Sequence, residues 1–554
     1  MLDPLRRPAF ARRARTALVG GAFVLVSGLL TGLLACSLRA GDGDPNEAGA
    51  GGAYNPGMGG AGTSGTGGAG SAGLPPTAGR AGVSGQGSGG GSSASVELLE
   101  APTPFVTAGL HVSVSGNDAS GDGSAAAPYR TIQYVLDNVA APGGVILVHA
   151  GRYEEQVRIR HSNFTLQAAS PSERPLITCP ISGDENNPPL CVEIDAETTG
   201  VTLRGLEVSG GFYSIYLGSQ WDYDSTPLDN PAARGVIIED CIVHDSGRDT
   251  IKLPAGCDDV TIRRCEIYNS GMSYPAGTSP EDKNAEGIDV VNADRLRVAD
   301  TYVHDAATSC VYVKGGSIGT VIERVRVERC GDVGIALGFD TSPEFFDTQA
   351  NPGYYENLGG TVRNCVVRDT GLAGIGLFAS RDARVLHNTV VRAATRGQAA
   401  LYLGVATQDY APEAKRPANV NPTIVGNVVD QTGVADARCF GIRYSVEDEL
   451  GVLSGLDGAF ALRHNLYFAG GAACAFSDSR PSPNLEGGDL AAWQAHGTGF
   501  DVDSSFQSPA LDAEAHLAAG SPAVDALSAA TAGVTYDIDR KPRQAPYDLG
   551  ADER

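Results

Sequence analysis

Val236-Ile237-Ile238-Glu239-Asp240-Cys241-Ile242-Val243 is answered 24 residues later by Val260-Thr261-Ile262-Arg263-Arg264-Cys265-Glu266-Ile267, and weaker copies begin at Val321, Thr361, Val385 and Ile424. Self-similarity at a fixed short period means a chain that coils and stacks on itself. With Asp240, Arg264, Asp300, Arg324, Asn364, Asn388, Asn427 and Asn465 as equivalent points, the intervals are 24, 36, 24, 40, 24, 39 and 38 residues. The unit is therefore one coil of about 24 residues, sometimes lengthened by an insertion.

Inside each unit apolar residues alternate with polar ones over runs too short for helices. Val236, Ile238, Cys241 and Val243 form one such set, and after the turn His244-Asp245-Ser246-Gly247 another run opens at Ile251. Its counterparts are Ile215, Ile288, Val311, Ile335, Ile375, Leu401 and Ile442. Period two with one buried face is a strand, and β-branched residues between Gly, Asn and Asp do not sustain helices. Parallel strands stacked about 4.8 Å apart follow. Asn364, Asn388, Asn427 and Asn465 then read as a structural ladder, because Asn tolerates a left-handed turn and can bond its own copy one coil away. Asp258, Asp294 and Asp382 before strands, and His244 and His304 in the His-Asp turn, read the same way.

The amino-terminal region has a different character. Five arginines precede an apolar run from Ala17 to Leu34, which ends in Leu33-Leu34-Ala35-Cys36. Residues 1–36 resemble a bacterial lipoprotein signal, which implies cleavage before Cys36, lipidation of that residue and a place in the cell envelope, with Ser37 matching outer-membrane sorting. Residues 37–106 are rich in Gly, Ala and Ser and are expected to form a flexible tether. About 65 residues of this kind span on the order of 40–50 Å. Without residues 1–36 the chain keeps 36 basic against 64 acidic residues, a net charge of −28. Such a polyanion disfavours nucleic acid and anionic lipid as partners, leaves the lipid as the one membrane contact, and suits divalent cations. A monomer is expected. Ten cysteines remain after Cys36, an even number that permits disulfides in an exported chain. Cys179 and Cys191, close together around a Pro-rich loop, are the favoured pair; Cys241 with Cys265 and Cys439 with Cys474 occupy equivalent places on different coils and either bridge or stack as thiols. No Cys-x-x-Cys pattern indicates zinc.

Stacked coils need covers at both ends. Thr131 to Val139 places Ile132, Val135, Leu136 and Val139 on one face of a short helix that stops at Pro142-Gly143-Gly144. With His111-Val112-Ser113-Val114-Ser115-Gly116-Asn117-Asp118, Pro128-Tyr129-Arg130-Thr131-Ile132 and Gly144-Val145-Ile146-Leu147-Val148-His149-Ala150-Gly151, this opening resembles that of right-handed parallel β-helix proteins of the pectate-lyase-like superfamily. Gly520-Ser521-Pro522-Ala523-Val524-Asp525, Asp537 to Arg543 and Asp548 to Glu553 resemble the closing module of surface β-helix proteins. The resemblance implies an all-β chain: a right-handed parallel β-helix solenoid over residues 107–480, with a short N-terminal capping helix and a closing segment over 481–554. It does not fix an activity, because the superfamily includes lyases, hydrolases, epimerases and proteins without catalysis.

The core of such a solenoid is closed, so ligands lie in an outer groove walled by insertions. These fall near residues 219–234, 273–285, 339–359 and 405–422, three of them just after the strand that begins at Ile215 and its counterparts. Outward on that strand, coil by coil, stand Tyr216, Lys252, Asp289, Tyr312, Ala336, Gly376, Tyr402 and Arg443, with Lys314 two residues after Tyr312 and Asp249 and Glu286 on the near side. Only five lysines exist in the chain, so two on one face are notable. The lyase resemblance supplies a role for the set: Asp249, Glu286 and Asp289 as Ca²⁺ ligands, Lys252 or Lys314 as the base that removes the C5 proton of a uronate, and Tyr216, Tyr312, Tyr402 and Arg443 as substrate contacts. The partner is then an acidic polysaccharide. Two alternatives stand beside it. In one, the tyrosines and Trp221 bind cell-surface glycan without catalysis, and Lys252 with Asp289 is a cross-coil ion pair. In the other, Asp249 and Glu286 are the paired carboxylates of a glycoside hydrolase, about 5 Å apart.

The lipid attachment is open to direct test. Cys36→Ser should release the protein from membranes or leave its leader uncleaved, read by membrane fractionation and intact mass; a variant with unchanged mass and membrane association would rule the attachment out.

Overall fold

Strands of three residues are too short to stand alone, and each here takes its hydrogen bonds from the coils before and after it. The computed structural model describes residues 97, 99, 101–220, 230–407, 415–447, 450–482 and 484–554. Each of three long sheets is twelve strands deep. In one coil Ile237–Glu239 lies in the first sheet, Ile242–His244 in the second and Ile251–Leu253 in the third. Neighbours along the stack are parallel and in register, as Ile238 on Ile262 and Val243 on Ile267. The inward residues Ile238, Ile262, Val298 and Ile322 are fully buried in one continuous core. Each such side chain contributes roughly 1.5–3 kcal/mol by leaving water.

The turn from the first sheet to the second carries one residue in the left-handed conformation: Asp240, Arg264, Asp300, Arg324, Asn364, His387 and His464 have φ between 50° and 56°. This corrects the repeat alignment. Arg363 pairs with Leu386, so the partner of Asn364 is His387, 23 residues on, and Asn388, Asn427 and Asn465 sit one place later, inside the coil. There they form the expected ladder. The Oδ1 of Asn427 accepts from the backbone N and Nδ2 of Asn388, each at 3.0 Å, and that of Asn465 accepts from Asn427 N and Nδ2 at 2.9 and 3.0 Å. The slip arose because His387 and His464 took the left-handed place that an asparagine was expected to hold. Asp258 and Asp294 form a comparable ladder, accepting from Asp294 N and Ile318 N at 2.9 Å each.

Both ends differ in detail from expectation. The capping helix covers Ile132–Asn138 and buries Ile132, Val135 and Leu136; Val139 is its C-cap and is exposed. At the far end an antiparallel strand, Leu485–Gly488, and the helix Leu490–His496 seat Trp493, fully buried, against Phe440 and Phe476. Residues beyond 507 do not continue that cover. They fold back along the side of the solenoid, where Ile538 and Ala551 pack on Val366 and Val391.

The last residues of the expected tether are part of the fold too. Thr103 Oγ1 accepts from Arg263 at 3.1 Å, Pro104 O accepts from Arg204 at 3.1 Å, and Gln167 bonds both backbone groups of Val106. Glu97, almost buried, accepts from Arg324, Asn364 and the backbone N of Thr535 and Tyr536. This strap lies on a face where Glu239 meets Arg204, Arg263 and Arg264, and Glu323 meets Arg297, Arg324 and Arg363. Three guanidiniums around each buried carboxylate need a cover, and the composition of the segment gave no sign that it supplies one. Residues 1–96, with Cys36, lie outside the described residues.

Cys179 is bridged to Cys191 and Cys439 to Cys474, with Cα atoms 5.5 and 5.6 Å apart. A third bridge joins Cys310 to Cys330, a pair the repeat did not single out. Cys241 and Cys265 remain buried thiols, as do Cys257 and Cys365.

Asn427 is the central rung of the asparagine ladder, and its Nδ2 also donates to Val385 O at 3.0 Å. Asn427→Ala strands a buried N–H and a buried carbonyl, so unfolding by guanidinium should show a loss of about 2–4 kcal/mol. A loss below about 0.5 kcal/mol would mean the ladder carries no net stability.

Candidate functional site

On the third sheet the outward row runs Tyr216, Lys252, Asp289, Tyr312, Ala336, Gly376, Tyr402, each paired with the next. Lys252 and Asp289 are therefore nearest neighbours, and Lys314 stands opposite Val291, one coil past Asp289 and two residues along. Asp249 and Glu286 sit at equivalent places just before their strands, with Glu286 N donating to Asp249 Oδ1 at 2.9 Å. One carboxylate oxygen from each of Asp249, Glu286 and Asp289 lies within 4.8 Å of the others. Lys252 Nζ donates to Asp289 Oδ2 at 2.5 Å and lies 3.7 Å from Asp249 Oδ2.

The row ends differently from the sequence reading. Tyr402 pairs with Gly441, not with a residue two places later, so Arg443 lies past the end of its strand and outside the row. A slip of two residues keeps every side chain on the same face, and the strand bulges between Arg438 and Phe440. Tyr402 is four coils from Asp289, roughly 19 Å away. Neither it nor Tyr312 is an open platform: both pack with Phe378 and Phe339 in a cluster of their own. Tyr216 is buried and stacks on Tyr213 at 5.7 Å. Trp221 lies outside the described residues.

The acidic cluster is covered, where an open groove was expected. Asp289 is 1 % exposed and Lys252 4 %. Arg248 lies between the rings of Phe212 and Tyr274, at 5.5 and 5.4 Å, and donates to Asn284 O at 2.6 Å, which fastens the insertion that carries Tyr274 and Asn284. Tyr274 Oη accepts from Asn284 N at 2.9 Å. In the orientation that satisfies its neighbours, the Asn284 amide donates to Glu286 Oε2 at 3.2 Å and accepts from Arg248 at 3.3 Å. Lys314, by contrast, is only partly buried, with Nζ 4.4 Å from the centre of the Tyr312 ring.

Glu356 is the functional-type residue the sequence did not disclose. It comes from the insertion after residue 338, is buried, and accepts from Thr341 Oγ1 at 2.6 Å and Gly315 N at 2.9 Å. Burial pushes its carboxyl up to about 7 against the pull of those two donors. An insertion has no repeat register, so nothing in the pattern could bring Glu356 beside Lys314. Arg248, adjacent to Asp249 in sequence, is the one cover residue that proximity could have flagged.

Burial raises the Asp249 carboxyl well above the ordinary range, and the charges of Glu286 and Asp289 add to the effect. Burial, then Asp289, raises Glu286. Asp249 and Glu286 thus each favour the neutral form beside the other. The same set fits a hard cation: oxygens on one Ca²⁺ lie up to about 5 Å apart. Asp289 Oδ1 is buried with no hydrogen-bond partner among the described residues.

The model of the family described as "Right handed beta helix region" matches residues 191–349 and 230–404. With the parallel three-sheet stacking, this makes the chain a right-handed parallel β-helix. Among solved structures it is similar to the pectate lyase Pel9A, at 14 % identity and a TM-score of 0.47 over 81 % of this chain and 97 % of that one. It is also similar to XylC, solved in complex with xylose, at 10 % identity and a TM-score of 0.42 over 73 % and 87 %. A further likeness is to an alginate lyase from Paenibacillus sp., at 15 % identity and a TM-score of 0.34 over 68 % and 96 %. No curated protein sequence matches the chain.

Because Asp249 and Glu286 have raised carboxyl pKa values, the folded state holds protons that the unfolded chain releases. Their contribution to stability is present at low pH and is lost as pH rises from about 4 through the raised values. A Ca²⁺ ion held by these carboxylates would compete with those protons, so it should raise Tm more at about pH 8 than at about pH 5, equivalent to about 2.7 kcal/mol at a hundredfold excess over Kd. Calorimetry with and without Ca²⁺ checks this, and Asp289→Asn should remove the shift.

Proposed function

We propose that the protein is an exported, lipid-anchored β-helix that acts on an acidic polysaccharide as a Ca²⁺-assisted lyase. The observation that supports this reading most directly is the convergence of Asp249, Glu286 and Asp289 within 4.8 Å, one coil from Lys314. Asp249, Glu286 and Asp289 would hold the cation. Bound there, it would neutralise a uronate carboxylate and make the adjacent C5 proton more acidic.

The two lysines divide the remaining work. A base must reach the substrate, and Lys252 is almost buried, 2.5 Å from Asp289 and 3.7 Å from Asp249. Lys252 positions Asp289. Lys314 is the more open of the two, rests on the Tyr312 ring, and is the residue that takes the C5 proton. A polymer reaches the carboxylates when the cover fastened by Arg248 lifts. The tether on the amino-terminal side of the strap lets the anchored domain reach its polymer.

The near-complete burial of the cluster favours one second reading, in which Lys252 and the carboxylates form a structural ion cluster and the protein binds glycan without turnover. Absorbance of unsaturated product from a panel of uronate polymers separates the two. Lys314→Ala should lower kcat about 100-fold or more with Ca²⁺ affinity retained, while Lys252→Met should chiefly change Ca²⁺ affinity. Chelator should abolish turnover. No unsaturated product from any polymer in the panel would leave the binding reading in place.

A further inference from the structure

At the amino-terminal end of the solenoid the strand Leu110–Val112 lies in register on Val145–Val148, with Val112 opposite Val148. Both valines are fully buried, while His111 and His149, next to them in sequence, are half-buried. The backbone of each histidine is held on both sides. His111 N donates to Gly123 O at 2.9 Å, and His111 O accepts from Tyr129 N at 3.0 Å. His149 N donates to Val112 O at 2.9 Å, and His149 O accepts from the hydroxyl of the buried Tyr153 at 2.8 Å.

The side chains mounted in this way meet each other. His111 Nδ1 lies 2.9 Å from His149 Nε2, with the ring centres 5.1 Å apart and the planes inclined by 19°. His244 and His304, by contrast, face carboxylates at both ring nitrogens: Asp245 and Glu207 for the first, Asp305 and Glu266 for the second. At the His111–His149 pair the carboxylate stands behind the meeting point. Glu173 Oε2 lies 3.3 Å from His149 Nδ1 and accepts from Ala150 N at 2.7 Å, while Oε1 accepts from Ser170 Oγ at 3.4 Å. A carboxylate at Nδ1 keeps that nitrogen protonated and leaves the lone pair of Nε2 directed at His111, which is how a histidine is prepared as a metal ligand. Burial, and then the neighbouring His149, lower the pKa of His111 and so favour the neutral ring that a metal requires.

We propose that His111 Nδ1 and His149 Nε2 form a binding site for a divalent transition metal, with waters in the remaining positions. Two nitrogens each about 2.0 Å from one ion lie about 2.8 Å apart at a right angle and about 3.3 Å apart at a tetrahedral one. The observed 2.9 Å fits the right angle, which selects Ni²⁺ or Cu²⁺ over Zn²⁺. His111 then carries its proton on Nε2, and Glu173 is a positioning residue that acts through His149. Ca²⁺ is a hard ion that takes oxygen ligands, so it does not compete for the imidazoles. The metal clips the first strand of the stack to the coil that follows it, and the site shares no residue with the acidic cluster.

Calorimetric titration of the full chain with Ni²⁺, in excess Ca²⁺ to occupy oxygen sites, tests the proposal. His111→Gln and His149→Gln should each weaken Ni²⁺ binding about tenfold or more, and Glu173→Gln, which keeps an acceptor for Ala150 N, should weaken it about tenfold. His516→Gln, at the place where a histidine and two carboxylates converge, should leave it unchanged. The electron paramagnetic resonance spectrum of Cu²⁺ on the unaltered chain adds a measurement that needs no variant, and should show splitting by two imidazole nitrogens. Absence of Ni²⁺ binding, binding unaffected by both histidine substitutions, binding lost in His516→Gln, or a Cu²⁺ spectrum with oxygen ligands alone would each overturn the proposal. Zn²⁺ bound tenfold more tightly than Ni²⁺ would overturn the right-angled geometry.

Discussion

In a parallel stack held in register, the nearest neighbours of any side chain are its own equivalents one coil above and one below. Repetition therefore sets like against like at about 4.8 Å, which suits Ile238 on Ile262 and would be costly for charges. The molecule meets this constraint by alternating sign. Asp240 is followed by Arg264, and Asp300 by Arg324. On the outer face of the first sheet Glu239 is set between Arg204 and Arg263, and Glu323 is gripped by Arg363. Where charges do not alternate, neutral ladders take over, as at Asn388, Asn427 and Asn465.

The same constraint makes the candidate site conspicuous. Asp249 and Glu286 are equivalents of the same sign on adjacent coils, joined by a third acid, Asp289. Asp258 and Asp294, also like-charged neighbours, spend their oxygens on successive backbone N–H groups, with Arg295 beside them. Asp249 accepts one such bond, yet a buried oxygen of Asp289 has no hydrogen-bond partner among the described residues. Here three carboxylates gather with an oxygen of each within 4.8 Å of the others. That place is shielded by a cover built from a different part of the coil, the Arg248 sandwich between Phe212 and Tyr274.

The chain outside the coils serves the solenoid as much as the coils do. The strap from Glu97 to Val106 and the returning segment beyond residue 507 meet at Glu97, whose carboxylate joins Arg324 of one coil, Asn364 of the next and the backbone of Thr535 and Tyr536. A face of buried arginines and glutamates is thereby shielded by both ends of the domain. Between the returning segment and the coils lies a cavity lined by Ile538, Asp539 and Arg540 on one side and by the turn residues Asp240 to Arg324 on the other.

The sequence by itself determined the coil, the parallel stacking, the outward row from Tyr216 to Tyr402, and the adjacency of Lys252, Asp289, Asp249 and Glu286. Each of these follows from a period, and a period is a local property of the chain. It could not detect a slip that preserves the face, which is why Arg443 was placed where Gly441 stands, and it misplaced Asn388 by one because several residue types accept a left-handed turn. Only the tertiary structure decided what the insertions and the two ends do: that Tyr274 and Arg248 close over the acids, that Glu356 lies beside Lys314, that Glu97 is buried, and that Ile538 to Arg540 roof a cleft. Those segments have no repeat to register them, so their positions are fixed by contacts with residues as much as several hundred places away in the chain.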